Sequence, residues 1–493
     1  MAAFDFDIGI LGGGAAGLTI ASGSAQLGAR TLLVERQSVL GGDCLHFGCV
    51  PSKTLIRSAQ VYHLVKHSGQ FGLPVVDPPP VDFQQIVRRI RSVIGAIQKH
   101  DSEERFCGLG VKVEFGQAVF TDEHTVELNG RRITSKHWVI ATGASPSAPP
   151  VDGLDQSGYI TNRDVFFMDR LPGSMIILGG GPIAMEMAQA FCRLGSKVSV
   201  IQRSDQILTR EDRDMADDVM KVLQQEGVRF FLNTSILAVR DTGGQKEVVF
   251  RQKGLEGSFV VAADSLLVAM GREANLTGLG LENIGVKFTR KGLSLDDRLR
   301  TRHNHIYGAG DVTGAFQFTH AAGYEGGIVI SNSVFHFPRK IDYTYLPWCT
   351  YTDPGLASIG MNEKRAGAAG INYSVRMEAF SANDRSLAEG EARGRIKLIL
   401  DDKGKPIGVQ IFSLFAGELL NEWVAVFNGG VRLSTLAAAV HPYPTVGESS
   451  KKVAGAVMAD KLFSDPVKKG LKFFFHLKGR ACELPDKLPK AED

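Results

Sequence analysis

The sequence predicts an α/β protein in which one strand–helix–strand unit occurs twice. The first copy, LGGGAAGLTIASGSAQLGARTLLVER, begins at Leu11, and the second, LGGGPIAMEMAQAFCRLGSKVSVIQR, begins at Leu178, an offset of 167 positions without a gap. Each copy follows an apolar run, ends in another, and has a glycine-rich turn before its helix. This order is typical of a Rossmann-like dinucleotide-binding domain.

The small residues of each turn have defined tasks in such a unit. The first turns the chain out of the strand, the second lets the backbone approach a pyrophosphate, and the third lets helix and strand pack closely. These residues are Gly12, Gly14 and Gly17 in the first copy and Gly179, Gly181 and Ala184 in the second. Two copies in register favour a pair of nucleotide sites over two plain glycine turns.

The end of the second strand differs between the copies and predicts two different cofactors. Glu35 stands 18 residues after Gly17, where an acid binds ribose hydroxyls. The second copy has Gln202 and then Arg203, and a neutral residue followed by arginine suits a ribose 2′-phosphate. We therefore expect FAD on the first unit and NADPH, in preference to NADH, on the second. A solvated loop charge is the alternative for Arg203.

Three further fragments are expected to complete the nucleotide sites. HWVIATGASP and SLLVAMGRE each end a β-rich run in a small-x-Gly turn, which assigns Thr142 and Gly143 to FAD and Gly271 to the nicotinamide nucleotide. TRHNHIYGAGDV provides a strand, then Gly310, and then Asp311 at a helix start. Asp311 is expected to bind a flavin ribityl hydroxyl, to cap the helix, or to do both.

Composition excludes several classes of protein. The 493 residues are 44% hydrophobic and 22% charged, as in a globular protein of several domains, and a formal net charge of +3 gives no reason to expect nucleic acid. The uncharged stretch 8–29 contains seven glycines, so the nucleotide unit explains it better than a membrane span. We expect no transmembrane segment and no signal peptide. Six sparse cysteines favour a reducing, cytoplasmic compartment over a disulfide framework.

Only Cys44 and Cys49, in GGDCLHFGCVPSK, are close in sequence. Five residues of regular helix rise about 7.5 Å, which exceeds the usual Cα spacing of a disulfide. A bridge would therefore need a break in the helix, which Gly48 permits. Pro51 suits the opening of a helix whose N-terminus stabilises a Cys49 thiolate. Two structural free cysteines are one alternative; a zinc site with His46 is another, without a second cysteine pair to complete it.

These motifs, with ATGASP, AMGREAN, YGAGDV, YTDPGLASIG and HPYPTVGE following in order, resemble the pyridine nucleotide–disulfide oxidoreductases. Dihydrolipoamide dehydrogenase and glutathione reductase belong to this family, and the pattern is most similar to mercuric reductase. The resemblance covers residues 5 to about 463. It implies a homodimer with four segments: FAD binding at 1–150 and 272–345, NAD(P)H binding at 151–271, and an α+β interface domain at 346–463.

The resemblance also implies a path for electrons. Cys49 would face the flavin, Cys44 would exchange with the substrate, and Gly42 would lie against FAD. Lys53 would lie beside the flavin with Glu186 as its ion-pair partner. Hydride would pass from NADPH to FAD, and an electron pair would then reduce the disulfide. The Cys44 thiolate would attack the substrate or bind a soft metal, while no resident metal is expected.

The C-terminal motif departs from most of the family. Relatives carry His-x-His-Pro-Thr-x-x-Glu, whose second histidine is the acid/base and whose glutamate orients it, whereas Tyr443 replaces that histidine here and Glu448 keeps its place. An unperturbed tyrosine has a pKa of about 10 against about 6.5 for histidine, so it is a poor base at pH 7. His441 is either a substitute base or a surface histidine.

The tyrosine favours an acceptor other than a dithiol. Mercuric reductases have a similar Pro-Tyr-x-Thr-x-x-Glu stretch, so Hg(II), another soft metal or another non-dithiol small molecule is expected to take the electrons. We expect no Cys-x-x-Cys metal-capture domain of the kind those enzymes carry, and the single Cys482 stands in place of their terminal cysteine pair. The alternative is a dithiol oxidoreductase of the dihydrolipoamide dehydrogenase type.

A basic, aromatic tail occupies residues 464–493. After Pro466 it reads VKKGLKFFFHLKGRAC, with apolar residues at helical spacing, several cations and no acid. Such a helix in 466–482 either contacts an anionic membrane surface weakly or packs on the dimer. A redox sensor or membrane-docked electron-transfer flavoprotein is therefore a third functional alternative.

Overall fold

The computed structural model describes residues 4–479 and residue 481. The chain divides into two compact units, Met1–Ser358 and Ile359–Asp493. Arg480 and Cys482, near the end of the stretch 466–482 expected to be helical, lie outside the described residues. In the described part of the chain, every helix is too short or too polar to cross a membrane.

The first part of the N-terminal unit forms a sheet flanked by helices. Its elements are β1 (Phe6–Leu11), α1 (Ala15–Gln26), β2 (Thr31–Glu35), α2 (Gly42–His46), α3 (Cys49–Lys66), α4 (Phe83–Gln98), α5 (Glu103–Gly108), β3 (Val111–Phe115), β4 (Ala118–Phe120), β5 (Thr125–Leu128), β6 (Arg131–Ile140) and β7 (Ala144–Pro146). The strand order is β3-β2-β1-β6-β5-β4. Strands β1, β2, β3 and β6 are parallel, and β4 and β5 extend the sheet in antiparallel fashion.

A second parallel sheet follows. Its elements are β8 (Ser174–Leu178), α6 (Pro182–Leu194), β9 (Lys197–Ile201), α7 (Arg213–Gln225), β10 (Arg229–Phe231), β11 (Thr234–Thr242), β12 (Gln245–Gln252), β13 (Phe259–Ala263) and β14 (Ser265–Val268). The parallel strands lie in the order β10-β9-β8-β14, and β11, β12 and β13 form a separate antiparallel sheet.

The chain then returns to the first sheet. The elements are β15 (Arg272–Ala274), β16 (Phe288–Thr289), β17 (Gly292–Leu293), β18 (Ile306–Gly308), α8 (Thr319–Ser333), β19 (Trp348–Thr350) and β20 (Gly355–Gly360). Strand β18 pairs in parallel with β6. Ile306 on β18 therefore lies in the same sheet as Phe6 on β1, 300 positions earlier in the sequence. Helix α8 packs on α1 beside it.

The sequence repeat is a structural repeat. Strand β1 lies between β2 and β6, and β8 lies between β9 and β14, all in parallel. The last residues of β1 and β8 are buried because helices cover their sheets, which explains the continuous apolar runs in the sequence. Helices α1 and α6 start directly after Gly14 and Gly181, with both of these glycines in extended conformation. The predicted α/β class with two Rossmann-like domains is confirmed.

The C-terminal unit is α+β, as predicted. Its elements after β20 are α9 (Glu363–Ala368), β21 (Tyr373–Ala379), α10 (Asp384–Ala388), β22 (Arg395–Asp401), β23 (Pro406–Ser413), α11 (Ala416–Asn428), α12 (Leu433–Ala438), α13 (Glu448–Leu462) and α14 (Asp465–Phe475). Strand β22 pairs antiparallel with β21 and β23, and α13 packs on β21 and β22.

Candidate active site

The two cysteines of GGDCLHFGCVPSK lie on two different helices. Cys44 is inside α2, and Cys49 is the first residue of α3. The break between the helices is compact at Gly48: a Cβ on this residue would lie only 2.9 Å from the carbonyl oxygen of Asp43, so glycine fits there best. Both cysteines are free thiols, and they hydrogen-bond to each other. The break in the helix thus brings together two sulfurs that a continuous helix would hold apart.

The pair is electrostatically asymmetric. The hydrogen bond from Cys44 lowers the pKa of Cys49 to about 6, assisted by a hydrogen bond from Thr319 and the positive charge of Lys53. The same hydrogen bond, together with burial, raises the pKa of Cys44. At neutral pH Cys49 is therefore the thiolate and Cys44 the thiol that donates to it.

Thr319 is a site residue that the sequence did not indicate. Its hydroxyl oxygen lies 3.4 Å from the sulfur of Cys49, and it is the first residue of α8. The N-terminal ends of α3 and α8 both stabilise negative charge, since their first N–H groups have no partner within the helix. No short motif marks this threonine, which is 270 positions from the cysteine.

Lys53 and Glu186 form the ion pair that the resemblance implied. The ammonium of Lys53, on α3, lies 2.8 Å from the carboxylate of Glu186, on α6. The other carboxylate oxygen of Glu186 accepts a hydrogen bond of 2.9 Å from the N–H of Tyr351, and the ring of Tyr351 lies 4.4 Å from the ammonium. Burial by itself would lower the pKa of Lys53. The attraction of Glu186 and its hydrogen bond outweigh that effect, so the lysine pKa is raised. Tyr351 is the first residue of YTDPGLASIG, but nothing in that motif indicated a role for the tyrosine.

The first glycine turn has the shape of a pyrophosphate cradle. A Cβ on Gly17 would lie 1.8 Å from the carbonyl oxygen of Gly12, so only glycine allows α1 to pack so closely on β1. A Cβ on Gly42, which has φ +61°, would lie 2.7 Å from the Cα of Gly14. Two bare backbones therefore face each other at the N-terminal ends of α1 and α2. This surface fits a diphosphate bound by backbone N–H groups.

Glu35 lies beside that cradle. Its carboxylate accepts hydrogen bonds of 2.6 Å from the N–H of Gly13 and 2.7 Å from the N–H of Gln37. An ionised carboxylate has about four acceptor positions, so lone pairs remain for ribose hydroxyls. The residues present therefore fit FAD, which when bound accepts hydride from a nicotinamide nucleotide and passes an electron pair to a disulfide.

Asp311 belongs to an ion cluster that the sequence did not indicate. Arg272 lies 3.4 Å from the Asp311 carboxylate and 3.0 Å from that of Asp43, the neighbour of Cys44. Burial raises the pKa of Asp311, against the effect of Arg272. The hydroxyl of Thr142 donates a 2.7 Å hydrogen bond to the carbonyl of Asn275. The cluster thus connects the predicted flavin contacts to the redox loop.

A buried glutamate supports the turn before Asp311. The N–H of Gly310 donates a 2.6 Å hydrogen bond to Glu325, on α8, and the hydroxyl of Tyr343 donates one of 2.5 Å to the other oxygen. Burial raises the pKa of Glu325 to about 7. Gly143, on the neighbouring loop, accepts a 2.9 Å hydrogen bond from the N–H of Asn275.

The second glycine turn has the same backbone arrangement as the first. The residues predicted to bind the nicotinamide nucleotide are Gly179, Gly181, Ala184, Gln202, Arg203 and Gly271. Ala184 is fully buried under the turn, whereas Gly181 opens onto free space where a Cβ would meet nothing. Gln202 is half-buried and Arg203 is exposed beside it, with the Arg203 N–H donating a 3.2 Å hydrogen bond to the Gln202 side chain. Gly271 accepts a 3.0 Å hydrogen bond from Ser147.

The residues of HPYPTVGE lie in the C-terminal unit. The hydroxyl of Tyr443 donates a 2.9 Å hydrogen bond to Asp384, and this bond raises the tyrosine pKa. His441 lies 2.8 Å from the carboxylate of Glu422. Glu448, at the start of α13, accepts a 3.4 Å hydrogen bond from the N–H of Thr445.

Two dinucleotide-binding domains around a thiol–thiolate pair define a flavoprotein disulfide reductase. The chain belongs to the pyridine nucleotide-disulphide oxidoreductase family, whose model matches residues 6–326, and the dimerisation domain of that family matches residues 346–454. It is an NAD(P)H-dependent, FAD-containing disulfide oxidoreductase that forms a homodimer. The predicted family, enzyme class and fold are confirmed.

Several known proteins are similar over nearly the whole chain. Mercuric reductase of Streptomyces lividans is 32% identical over 462 residues, 92% of this chain and 97% of that protein. Dihydrolipoyl dehydrogenase of Bacillus subtilis is 30% identical over 466 residues, 92% of this chain and 98% of that protein. The Cu(II) complex of HOCl-induced flavoprotein disulfide reductase RclA from Escherichia coli superposes with a TM-score of 0.82 at 28% identity, covering 92% of this chain and all of that one.

Proposed function

We propose that this enzyme passes electrons from NADPH to a soft metal ion, with Hg(II) as the acceptor to test first. The observation that carries the proposal is the protonated state of Cys44 in a chain that has tyrosine at the sequence position where relatives have the base. The Cys44 pKa is raised by its hydrogen bond to Cys49 and by burial, so the exchanging sulfur is a thiol at pH 7.

Attack of Cys44 on a disulfide would need a base to remove that proton. Tyr443 is a poor candidate, because its hydroxyl donates to Asp384 and its pKa is raised by that bond. A soft metal ion needs no such base, since it competes directly with the proton for sulfur. Two sulfurs in contact also offer such an ion two ligands.

The electron count of the proposed reaction is simple. One NADPH releases one electron pair and a proton, and the pair reduces one Hg(II) to Hg(0). Relatives named mercuric reductase and a structural neighbour solved as a Cu(II) complex support a metal acceptor. We assign metal binding to Cys44 and Cys49, and to Lys53 and Glu186 the electrostatics beside the flavin.

We also propose a preference for NADPH over NADH. Gln202 leaves the end of β9 without the carboxylate that would repel a 2′-phosphate, and the exposed Arg203 follows it. The five free thiols in the described part of the chain support a reducing location such as the cytoplasm.

The test measures NADPH oxidation by the purified holoenzyme with and without Hg(II), buffered by a small thiol. We expect Hg(II)-dependent turnover that Cys44→Ser and Cys49→Ser each abolish. Cys107→Ser is the matched control, because Cys107 is also an exposed free thiol of the same unit. Full activity of Cys44→Ser, or no stimulation of the wild type, rejects the metal acceptor and leaves the flavoenzyme class untouched.

The His441–Glu422 pair favours a second candidate, a dithiol oxidoreductase of dihydrolipoyl dehydrogenase type. A carboxylate 2.8 Å from an imidazole is the arrangement that orients a general base. NADH formation from dihydrolipoamide that is lost in His441→Ala but kept in His476→Ala would support this candidate. Equal rates in both variants would exclude His441 as the base.

A further inference from the structure

The last described helix of the C-terminal unit presents an unusual amount of apolar surface. Helix α14 spans Asp465–Phe475, and none of its eleven residues, all of them described, is buried. Phe473, Phe474 and Phe475 are 74%, 73% and 68% exposed. Three adjacent exposed phenylalanines are costly in water, so this surface is expected to have a partner.

The side chains of α14 are sorted by character around the helix. At about 100° per residue, Val467, Leu471, Phe474 and Phe475 fall on one arc of roughly 100°. Lys468 borders this arc, Lys472 and Lys469 follow further round the helix, and Phe473 lies on the far side. The helix, about 16 Å long, therefore has an apolar face that is flanked, after Asp465 at its first position, by three lysines.

The apolar surface continues beyond both ends of the helix. Leu462 and Phe463, before α14, are 60% and 63% exposed, and Leu477, after it, is 52% exposed. The charges in the stretch 466–479 are all positive: four lysines occur there and no aspartate or glutamate. A partner must accordingly offer an apolar interior together with negative charge at its rim.

We propose that α14 lies in the headgroup region of an anionic lipid bilayer and attaches the reductase to the membrane surface. In that position the apolar face enters the acyl boundary, while the lysines that flank it meet anionic headgroups. A bilayer supplies both required properties at any point of its surface. The helix is too short to span the membrane, so it lies parallel to the surface.

A second copy of this chain is the competing occupant, and the two differ in their response to lipid charge. Membrane attachment depends on anionic lipid and weakens with salt, because the lysines contribute through screened attraction. Apolar self-association is independent of lipid and of its charge. This proposal does not rest on the identity of the electron acceptor.

The experiment is co-sedimentation of the full-length holoenzyme with vesicles of phosphatidylcholine alone or of phosphatidylcholine with phosphatidylglycerol. We expect binding to the anionic vesicles at least about tenfold stronger than to the neutral ones, and reduced by added salt. Phe474→Glu should weaken it about tenfold, because the charge enters the apolar face. The triple change of Lys468, Lys469 and Lys472 to Gln should remove the preference for anionic lipid.

Phe473→Glu is the matched control. Phe473 is as exposed as Phe474 and is its neighbour, but it falls outside the apolar arc, so we expect a loss of less than about threefold. Retained FAD absorbance and circular dichroism establish that each variant is folded. Equal effects of the two glutamate substitutions, equal binding to both vesicle types, or no binding would overturn the proposal. A lipid-independent rise in mass that Phe474→Glu abolishes would assign the face to a second copy instead.

Discussion

The hydroxyl of Thr319 lies 3.4 Å from the sulfur of Cys49, and it approaches from the N-terminal end of a helix 270 positions away in sequence. This contact, the Cys44 thiol and the Lys53 ammonium all favour the same charged form of one sulfur. The reductase thereby fixes which cysteine carries the negative charge before any substrate binds.

Replacing Thr319 by valine should therefore raise the Cys49 pKa from its present value of about 6. A hydrogen bond to a charged group contributes about 1.5 kcal/mol or more, which corresponds to roughly one pKa unit. The measurement is the pH dependence of the thiolate–flavin charge-transfer absorbance in the reduced enzyme. Thr319→Ser keeps the hydroxyl and should titrate like the wild type, and an unchanged titration of Thr319→Val would show that the contact is unimportant.

Glu186→Gln should slow the reduction of the bound flavin by NADPH about tenfold. This is the low end of the effect expected for one charge-assisted hydrogen bond, because the Lys53 side chain is 37% exposed and solvent weakens the pair. Burial then acts on the lysine without its partner and lowers its pKa. The loss should therefore grow with rising pH in stopped-flow traces. Glu226→Gln changes a different ion pair on the same domain, and a similar pH-dependent loss there would contradict a specific role for Glu186.

Glu325→Gln should change how stability depends on pH. Burial raises the Glu325 pKa to about 7, so the folded protein holds a proton that the unfolded chain releases above about pH 4.5. The contribution of Glu325 to the free energy of unfolding therefore falls by about 3 kcal/mol in total as the pH rises from about 4.5 to about 7. Glutamine mimics the protonated side chain and avoids this loss.

Thermal unfolding of the holoenzyme at about pH 5 and about pH 8 measures the effect. Relative to the wild type, the unfolding temperature of Glu325→Gln should be higher at about pH 8 than at about pH 5. The variant should also retain FAD better than the wild type at the higher pH. Glu325→Ala, which leaves the Gly310 N–H without its acceptor, should be destabilised at both. A constant difference between Glu325→Gln and the wild type would mean that Glu325 is ionised throughout.

Arg203→Ala should lower kcat/KM for NADPH about tenfold and leave that for NADH nearly unchanged, because only NADPH carries the 2′-phosphate. Steady-state kinetics with both nucleotides at low ionic strength give the ratio. Arg240→Ala removes another exposed arginine of the same region and serves as the control. An equal loss with both nucleotides would assign Arg203 to general electrostatics.

Local patterns of the sequence determine most of what could be predicted. The glycine repeat predicted both parallel sheets, because a strand, a tight turn and a helix are adjacent in the chain. The cysteine motif indicated that a close pair of sulfurs would need a break in the helix, which Gly48 permits. The assignments of individual site residues and the domain limits 1–150, 151–271, 272–345 and 346–463 stay predictions.

Contacts that join distant segments were not predictable in the same way. Arg272 lies near Asp43 and Asp311 only because the chain returns to the first domain at β15, where Arg272 is the first residue. Thr319 and Glu325 act through hydrogen bonds to sulfur, to backbone and to a tyrosine hydroxyl, and such bonds leave no periodic trace in the sequence. Tyr351 is part of the motif YTDPGLASIG, but the position of its ring against the Lys53 ammonium depends on tertiary packing.

The ion pair of Lys53 and Glu186, closed by the N–H of Tyr351, also sets an order of events during synthesis. The cysteines leave the ribosome first, but Glu186 follows 133 residues after Lys53, and Tyr351 another 165 later. A nascent chain of 300 residues therefore holds both sulfurs and lacks Thr319 and Tyr351. The hydrogen bond between the two cysteines can form early, whereas the contacts made by Thr319 and Tyr351 become possible only in the later part of synthesis.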